Sequence, residues 1–566
     1  MKNIFNFKFT LAGERNSKFR KIKLLMVGCL FLFSFVTIGY RTISLAGINK
    51  SSPEYVSFKT TKQNVIKNLP RGNIYDRNNN LLATTIATSS LNINPQEILN
   101  KRETIKQLIT IFPQLEEITL KNKLNSNKKF VNLLREISPR EHIALLNEGI
   151  EGLKIRTKHK RVYPKNNLAA HILGSTDIDG VGIAGIEKSL DSELKSGKNI
   201  NISIHSGIQH ITEKILLEQI RKFEAEGGAG IVMNSKNGEI YALTSLPDYN
   251  VNNYNKTSND LLFNKATKGI YELGSTLKLI TAAIALDSGS VKENEVFDVS
   301  RPLRISSRTI RDFHPLNYSI NIPEVIVHSS NIGSAKIAEK FGSAIQLKYL
   351  KKLGFMEKLD LQIPEVGKPQ VLMDRKLLST MTISYGHGIA ITPMHLASST
   401  ATLVNDGIKV NPTLLISNKE GENTQVFTKN TSNKIKSIMR LVVKSKHGTA
   451  KKAEANGYLV GGKTGTAEKL SKNGGYLKKQ NIVAFTSAFP INKPQYVITL
   501  MIDNPKGQKS SFGYRTAGWV VAPIIKKIVT RIAPILNVKP QNERSLDFSQ
   551  NLIQYEIRGK DRGENL

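Results

Sequence analysis

Gly274-Ser275-Thr276-Leu277-Lys278-Leu279-Ile280-Thr281-Ala282-Ala283-Ile284-Ala285-Leu286 is an apolar run that carries a single charge, Lys278. The run predicts a helix over Leu277–Leu286, with Ser275 at its start. Backbone N–H groups and the positive end of the helix dipole gather there, and they help to hold a developing oxyanion. Lys278 lies three residues on, one turn away on the same face. Its neighbours Leu277, Leu279 and Ile280 disfavour an ammonium, so Lys278 is placed to take the Ser275 proton. Gly274 lets substrate and backbone approach closely. A surface lysine is the plainer reading, but a ten-residue apolar helix with one charge argues against it.

Two further motifs follow in order. Ser329-Ser330-Asn331 comes 54 residues after Ser275, and Lys463-Thr464-Gly465-Thr466 begins 188 residues after it. Taken singly, S-x-N and K-T-G also fit a helix cap or a surface contact. Their order carries the weight. Ser329 is read as a proton relay to a leaving amine, and Asn331 as a hold on the substrate amide or the Lys278 amine. Lys463, Thr464 and Thr466 are expected on a strand, gripping a carboxylate by charge and hydroxyl contacts. Gly465 is expected to leave room for the ligand backbone, and the Thr466 N–H to join that of Ser275 in an oxyanion hole. Serine β-lactamases and penicillin-binding proteins carry this constellation.

Around these motifs the texture is mixed. Gly230-Ile231-Val232-Met233 and Glu239-Ile240-Tyr241-Ala242-Leu243 are β-rich, with Asn237-Gly238 expected as a two-residue hairpin turn. Helical segments follow, including one from Pro323 to Phe341 stopped by Gly342 and interrupted at Ser329–Asn331. Strands return at Ile482–Phe489 and Tyr496–Ile502. Strands, helices, then strands that close the same sheet predict a mixed α/β domain over 225–537. Upstream, Arg71-Gly72-Asn73-Ile74-Tyr75-Asp76-Arg77 and Leu81-Leu82-Ala83 flank an Asn turn, a hairpin signal. Residues 92–150 read as amphipathic surface helices, and Ile208–Phe223 as a helix. Gly180-Val181-Gly182-Ile183-Ala184-Gly185 matches a dinucleotide fingerprint, but without a βαβ setting it reads as turn chemistry.

The N-terminus sets the compartment. Lys2, Lys8, Arg15, Lys18, Arg20, Lys21 and Lys23 precede an uncharged run from Leu24 to Tyr40 that stays mostly apolar to Ile48. That pattern predicts a membrane anchor over 24–48 behind a cytoplasmic basic tail, 1–23. A cleaved signal peptide, with Ser44-Leu45-Ala46 at its end, is the alternative, and the length of the apolar run favours the uncleaved anchor. A formal net charge of +35 raises nucleic acid as a partner, which the export signal places in the wrong compartment. The only cysteine, Cys29, lies inside the span, so the exported part needs no disulfide. No histidine spacing suggests a metal site, and no cofactor is called for.

The whole pattern resembles a class B penicillin-binding protein, over nearly all of the chain after the anchor. Arg71-Gly72 through Asp76-Arg77, Arg161-Val162-Tyr163-Pro164, Gly174 and Gly185-Ile186-Glu187 resemble the motifs of that family's N-terminal module. Tyr385-Gly386-His387-Gly388-Ile389, Thr392-Pro393, His447-Gly448-Thr449-Ala450 and Gly462 through Lys469 resemble those of its catalytic domain. Leu273 stands where the family usually has Pro, and Ser487 where Gly is common. Arg531-Ile532-Ala533-Pro534-Ile535-Leu536, with Ala522-Pro523 before it, resembles the cell-division type of α-proteobacteria.

The resemblance implies a single-pass inner-membrane protein with an elongated α+β pedestal, 49–224. Next would come a serine β-lactamase/transpeptidase-like domain, 225–537, whose antiparallel sheet is flanked by helices, and a polar tail, 538–566. It implies a peptidoglycan D,D-transpeptidase with Ser275, Lys278, Ser329, Asn331 and Lys463 catalytic and Thr464, Gly465 and Thr466 binding substrate. The donor would be a stem peptide ending in D-Ala-D-Ala, the acceptor an amine on a neighbouring stem, and β-lactams would inhibit covalently. A septal glycosyltransferase and other division proteins are the implied partners. An elongation-type enzyme, a D,D-carboxypeptidase, a β-lactamase or β-lactam sensor, and an inactive division scaffold stay open as alternatives. The long pedestal weighs against the β-lactamase, and three intact motifs weigh against the scaffold.

Overall fold

Helix α1, Ser17–Ile48, is the first element of the computed structural model. Described residues are 17–48 and 70–541, apart from 307, 373, 375, 417–423, 472 and 473. Most of the expected basic tail, residues 49–69 at the start of the expected pedestal, and nearly all of the polar tail lie outside them. Within α1, Leu25–Thr42 is long and apolar enough to cross a membrane, with a mean hydropathy of 1.6. The helix begins earlier than Leu24 because Lys18, Arg20, Lys21 and Lys23 are all good helix formers.

Residues from Pro70 onward form a separate unit whose described residues include two five-stranded sheets and three two-stranded ones. In the first sheet, β1 (Ile74–Tyr75), β3 (Val131–Ile137) and β4 (Leu153–Val162) all pair antiparallel with β2 (Leu81–Ile93). β1 also pairs in parallel with β5 (Ile200–Asn201). The turn between β1 and β2 is built on Asp76, whose carboxylate accepts the Asn78 and Asn80 amides at 2.8 Å each. Amphipathic helices α2 (Lys101–Ile111), α3 (Glu117–Leu124) and α4 (Pro139–Glu148) cover one end of this sheet. Leu91, Leu108, Phe112, Leu124 and Leu145 form a small core there.

Helix α5 (Ser206–Lys222) follows, and it leads into the second sheet. That sheet contains β6 (Gly227–Asn234), β7 (Ile240–Leu246), β8 (Gly461–Leu470), β9 (Tyr476–Phe489) and β10 (Tyr496–Asp503). Its order is β8-β9-β10-β6-β7, antiparallel throughout, so early and late strands close one sheet as the sequence predicts. The sequence reading puts α5 with the pedestal, but its side chains hold the second sheet. Gln209 exchanges hydrogen bonds with the Leu243 backbone, and Gln219 donates to Val520 O.

The β6–β7 connection is longer than the two-residue turn expected. It spans 235–239, and within it Gly238 packs against Asn411, whose carbonyl would lie 1.9 Å from any Cβ there. In the chain between β7 and β8 come α6 (Lys278–Asp287), α7 (Ile322–His328), α8 (Asn331–Lys352), α9 (Leu377–Ser384), α10 (Pro393–Val404) and α11 (Lys429–Lys444). A last helix, α12 (Ala522–Ile535), packs beside α5. Gly342 does not stop α8 as expected. It kinks the helix at φ 71°, and the chain resumes to Lys352. Residues Lys278 to Ala285 of α6 are all buried, as an element apolar all round must be.

Candidate active site

Gly274–Leu277 forms one 3-10 turn that runs directly into α6, so Ser275 opens the helix and Lys278 begins its α-helical part. Gly274 is left-handed at φ 54°, and a Cβ there would meet Thr466 O at 2.7 Å. The nucleophile turn therefore lies backbone to backbone against β8. Gly386, also at positive φ, closes over the other side, since a Cβ there would lie 2.1 Å from Gly274 O. Glu272 ties this loop down by accepting the Gly388 amide at 2.7 Å and the Tyr476 hydroxyl at 3.0 Å. Burial raises the Glu272 carboxyl above its ordinary range.

Ser329-Ser330-Asn331 falls in the break between two helices. Helix α7 starts at a capping box, Asn321 with Glu324, and Pro323 sits in its first turn. It ends at Ser329, whose φ 61°, ψ 41° is a left-handed conformation uncommon for a side-chain-bearing residue. Ser330 caps α8 by accepting the Gly333 amide at 2.9 Å. Asp312, from the preceding loop, accepts Ser330 Oγ at 2.6 Å, the Ile332 amide at 3.0 Å and the Asn331 amide. Asp312 thereby fixes the pitch of the whole motif, and the sequence reading missed it.

Three motif side chains meet at one hydroxyl. Lys278 Nζ donates to Ser329 O at 2.5 Å, to Ser329 Oγ at 3.3 Å and to Asn331 Oδ1 at 2.8 Å. Lys463 Nζ reaches the same Ser329 Oγ at 3.0 Å and Thr464 O at 3.0 Å. Both lysines are fully buried. Burial brings the Lys278 amine down to about 7, partly opposed by the Asp312 charge. Burial, and then the Lys278 charge, also push Lys463 well below the usual lysine range.

Strand alternation splits the last motif into two faces. Thr464 and Thr466 line a cleft of about 770 Å³ together with Ser275, Ser329, Asn331 and His387. The Thr464 hydroxyl pairs with Thr449 at 2.8 Å, and Thr466 Oγ1 accepts the Ala517 amide at 3.2 Å, leaving its proton to donate. Lys463 and Gly465 take the opposite face. A Cβ at Gly465 would lie 2.2 Å from Leu273 O and 2.8 Å from Thr276 Cγ2. Gly465 therefore makes room for the nucleophile turn, not for a ligand backbone as the sequence reading expected.

The far wall of the cleft is aromatic and basic. Phe313, His314 and Trp519 contribute rings, Lys446 and Lys451 add charge, and Lys452 Nζ stands 2.9 Å from the Trp519 ring centre. Such a site can form an ester at Ser275, move protons through Ser329, and hold a carboxylate on two threonine hydroxyls.

Comparison with known proteins agrees with this geometry. The family profile described as the penicillin binding protein transpeptidase domain matches residues 228–530, and that of the penicillin-binding protein dimerisation domain matches 66–215. The probable peptidoglycan D,D-transpeptidase FtsI of Caulobacter vibrioides is 34% identical over 488 residues, covering 84% of this chain and 82% of that protein. Peptidoglycan D,D-transpeptidase FtsI of Buchnera aphidicola from Schizaphis graminum is 31% identical, covering 91% and 95%. Among solved structures, penicillin binding protein 3 of Mycobacterium tuberculosis, complexed with aztreonam, shares the fold. The TM-score is 0.67 at 21% identity, over 84% of this chain and 98% of that one.

Proposed function

This chain belongs to the penicillin-binding protein transpeptidase family, and on that premise we propose that it is a serine-type peptidoglycan D,D-transpeptidase acylated at Ser275. The observation that carries the reading is the cluster in which Lys278 and Lys463 converge on Ser329 Oγ beside the Ser275 turn. Lys278 takes the Ser275 proton as the hydroxyl attacks the carbonyl of the penultimate D-Ala. Backbone N–H groups of Ser275 and Thr466 hold the oxyanion. The C–N bond to the terminal D-Ala then breaks, and the proton returns through Ser329 to the departing amine. An acceptor amine on a neighbouring stem attacks the resulting ester, loses its proton by the same route, and frees Ser275.

Asn331 orients the Lys278 amine and the substrate amide. Thr464 and Thr466 bind the terminal carboxylate, with Lys463 supplying positive potential from beneath the strand. A β-lactam carries the same carboxylate and acylates the same serine.

The proposed division is a pedestal over 49–224, whose last helix α5 packs on the second sheet, and a transpeptidase domain over 225–537. Helix α1 is the single membrane anchor, with its basic end cytoplasmic and the catalytic domain periplasmic, which the lysines and arginines before the span support. A role in septal wall synthesis, beside a septal glycosyltransferase and other division proteins, is supported by the division-type motifs near Ala522 and Arg531.

Intact-mass analysis after penicillin treatment tests the assignment. One drug adduct is expected on the wild type and none on Ser275→Ala. An adduct that survives the substitution refutes it.

A further inference from the structure

The sequence marks His447-Gly448-Thr449-Ala450 as a motif, yet the acylation chemistry leaves it without a task. Its backbone is fixed from two sides. A Cβ at Gly448 would lie 2.2 Å from Val442 O near the end of α11, and the Ala450 amide donates to the same carbonyl at 3.2 Å. From the other side the short helical turn Ala517–Val520 closes in, since a Cβ at Gly518 would lie 2.6 Å from Thr449 O. Thr449 is thereby held at the wall of the catalytic cleft, with its hydroxyl 2.8 Å from that of Thr464. Among the described residues no other acceptor takes the Thr449 proton.

Which of the two hydroxyls donates is decided by what the cleft holds. A hydroxyl carries one proton, and a carboxylate can only accept. When Thr464 gives its proton to a ligand carboxylate, the hydrogen bond to Thr449 persists only with Thr449 as the donor. Thr466 reaches the same state by another route. The Ala517 N–H can only donate, so Thr466 Oγ1 accepts it and keeps its own proton for the cleft. The two threonines, on one face of β8, thus each receive one hydrogen bond from the protein and have one to give. A hydroxyl that accepts a hydrogen bond is polarised by it and donates more strongly. The buried Thr464 oxygen also keeps a partner whether the cleft is empty or filled.

We infer that Thr449 is a positioning residue for carboxylate recognition: its hydroxyl donates to Thr464 and so turns the Thr464 proton into the cleft. The inference rests on the transpeptidase reading and deepens it. Selectivity for an anionic acyl donor then depends on a residue outside Lys463-Thr464-Gly465-Thr466.

Acylation of the full-length protein by benzylpenicillin and by its methyl ester tests this. Thr449→Val removes the donated proton, and it should slow the acid about tenfold, as weakening a hydrogen bond to a charged group requires, and the ester less than about twofold. Thr449→Ser keeps the hydroxyl, and its rate with the acid should stay within about twofold of the wild type. In a Thr464→Val background, Thr449→Val should add less than about twofold, because its effect passes through Thr464. The inference is overturned if acid and ester slow alike, or if the acid is not slowed at all. It is equally overturned if Thr449→Ser is as slow as Thr449→Val, or if the effect survives undiminished beside Thr464→Val. Failure of the transpeptidase reading would appear separately, as a wild-type protein that forms no adduct at Ser275.

Discussion

Two amines donating to one hydroxyl, with no bulk water around them, cannot both remain ammonium ions at little cost. Burial has brought Lys278 to about 7, which places its loss of a proton near neutrality. The neutral amine is the base, so acylation by penicillin should rise with pH through about 7 and level off above it. A stopped-flow pH series would check this, and a flat profile would remove Lys278 from the role. Lys278→Arg keeps the charge but does not deprotonate, and acylation should fall by about 10²–10⁴-fold. Asp312 acts one step away, by holding Ser330, Asn331 and Ile332. Asp312→Ala should cost about 1–3 kcal/mol, seen in thermal unfolding, and slow acylation through Ser329 and Asn331. The two residues differ in how visible they are. Lys278 sits at a fixed helical spacing from Ser275, whereas Asp312 lies 18 residues before Ser330 with no periodicity joining them. Only the fold brings that carboxylate to the helix break.

Strand β8 shows what an element adds to its residues. The reading of Lys463, Thr464 and Thr466 as one gripping surface ignored the two faces of a strand, which separate Lys463 and Gly465 from the two threonines. Gly465 is packed against the Ser275 turn, so Gly465→Ala must push β8 away from Leu273 and Thr276. A loss of about 1–3 kcal/mol is expected, as for an overpacked core, together with slower acylation. Weaker binding of carboxylate-bearing β-lactams with unchanged thermal stability would instead return Gly465 to the ligand face. Similar limits explain the other elements. The pattern of strands, helices, then strands was legible because β6, β7, β10 and the Ile482–Phe489 half of β9 are nearly continuous apolar runs. Strand β4 was not, since Lys154, Arg156, Lys158, His159 and Lys160 read as solvated charge. It is a strand because it pairs with β2 along its whole length, from Thr84 opposite Val162 to Ile93 opposite Leu153.

Across the whole molecule, the short motifs at 71–77, 161–164 and 185–187 looked like separate signatures in the sequence. Folding makes most of them one buried ionic cluster. Glu187, fully buried, accepts Arg71 Nε and Arg161 Nε at 2.6 Å each and the Tyr163 hydroxyl at 3.2 Å. Arg71 is shared with Asp191 at 2.7 Å. The same hairpin reaches the second sheet, where Arg77 pairs with Glu239 at 3.2 Å and lies 3.8 Å from the Tyr241 ring centre. Asp76 accepts the amide that opens α5. The pedestal and the transpeptidase sheet are thus joined through charged residues of one turn. Glu187→Gln tests how much of the architecture depends on the cluster. The amide keeps the size of the carboxylate but removes the charge that two buried guanidinium groups require. Breaking a buried pair in this way typically costs about 3–5 kcal/mol, more than the same change at an exposed ion pair. The variant should melt several degrees lower, and the loss should exceed that from Glu117→Gln, which breaks the exposed pair with Lys121. Penicillin acylation of the fraction that remains folded should be nearly unchanged, because no residue of the cluster lines the catalytic cleft. Equal melting temperatures for the two variants would mean that the cluster fixes geometry without adding stability.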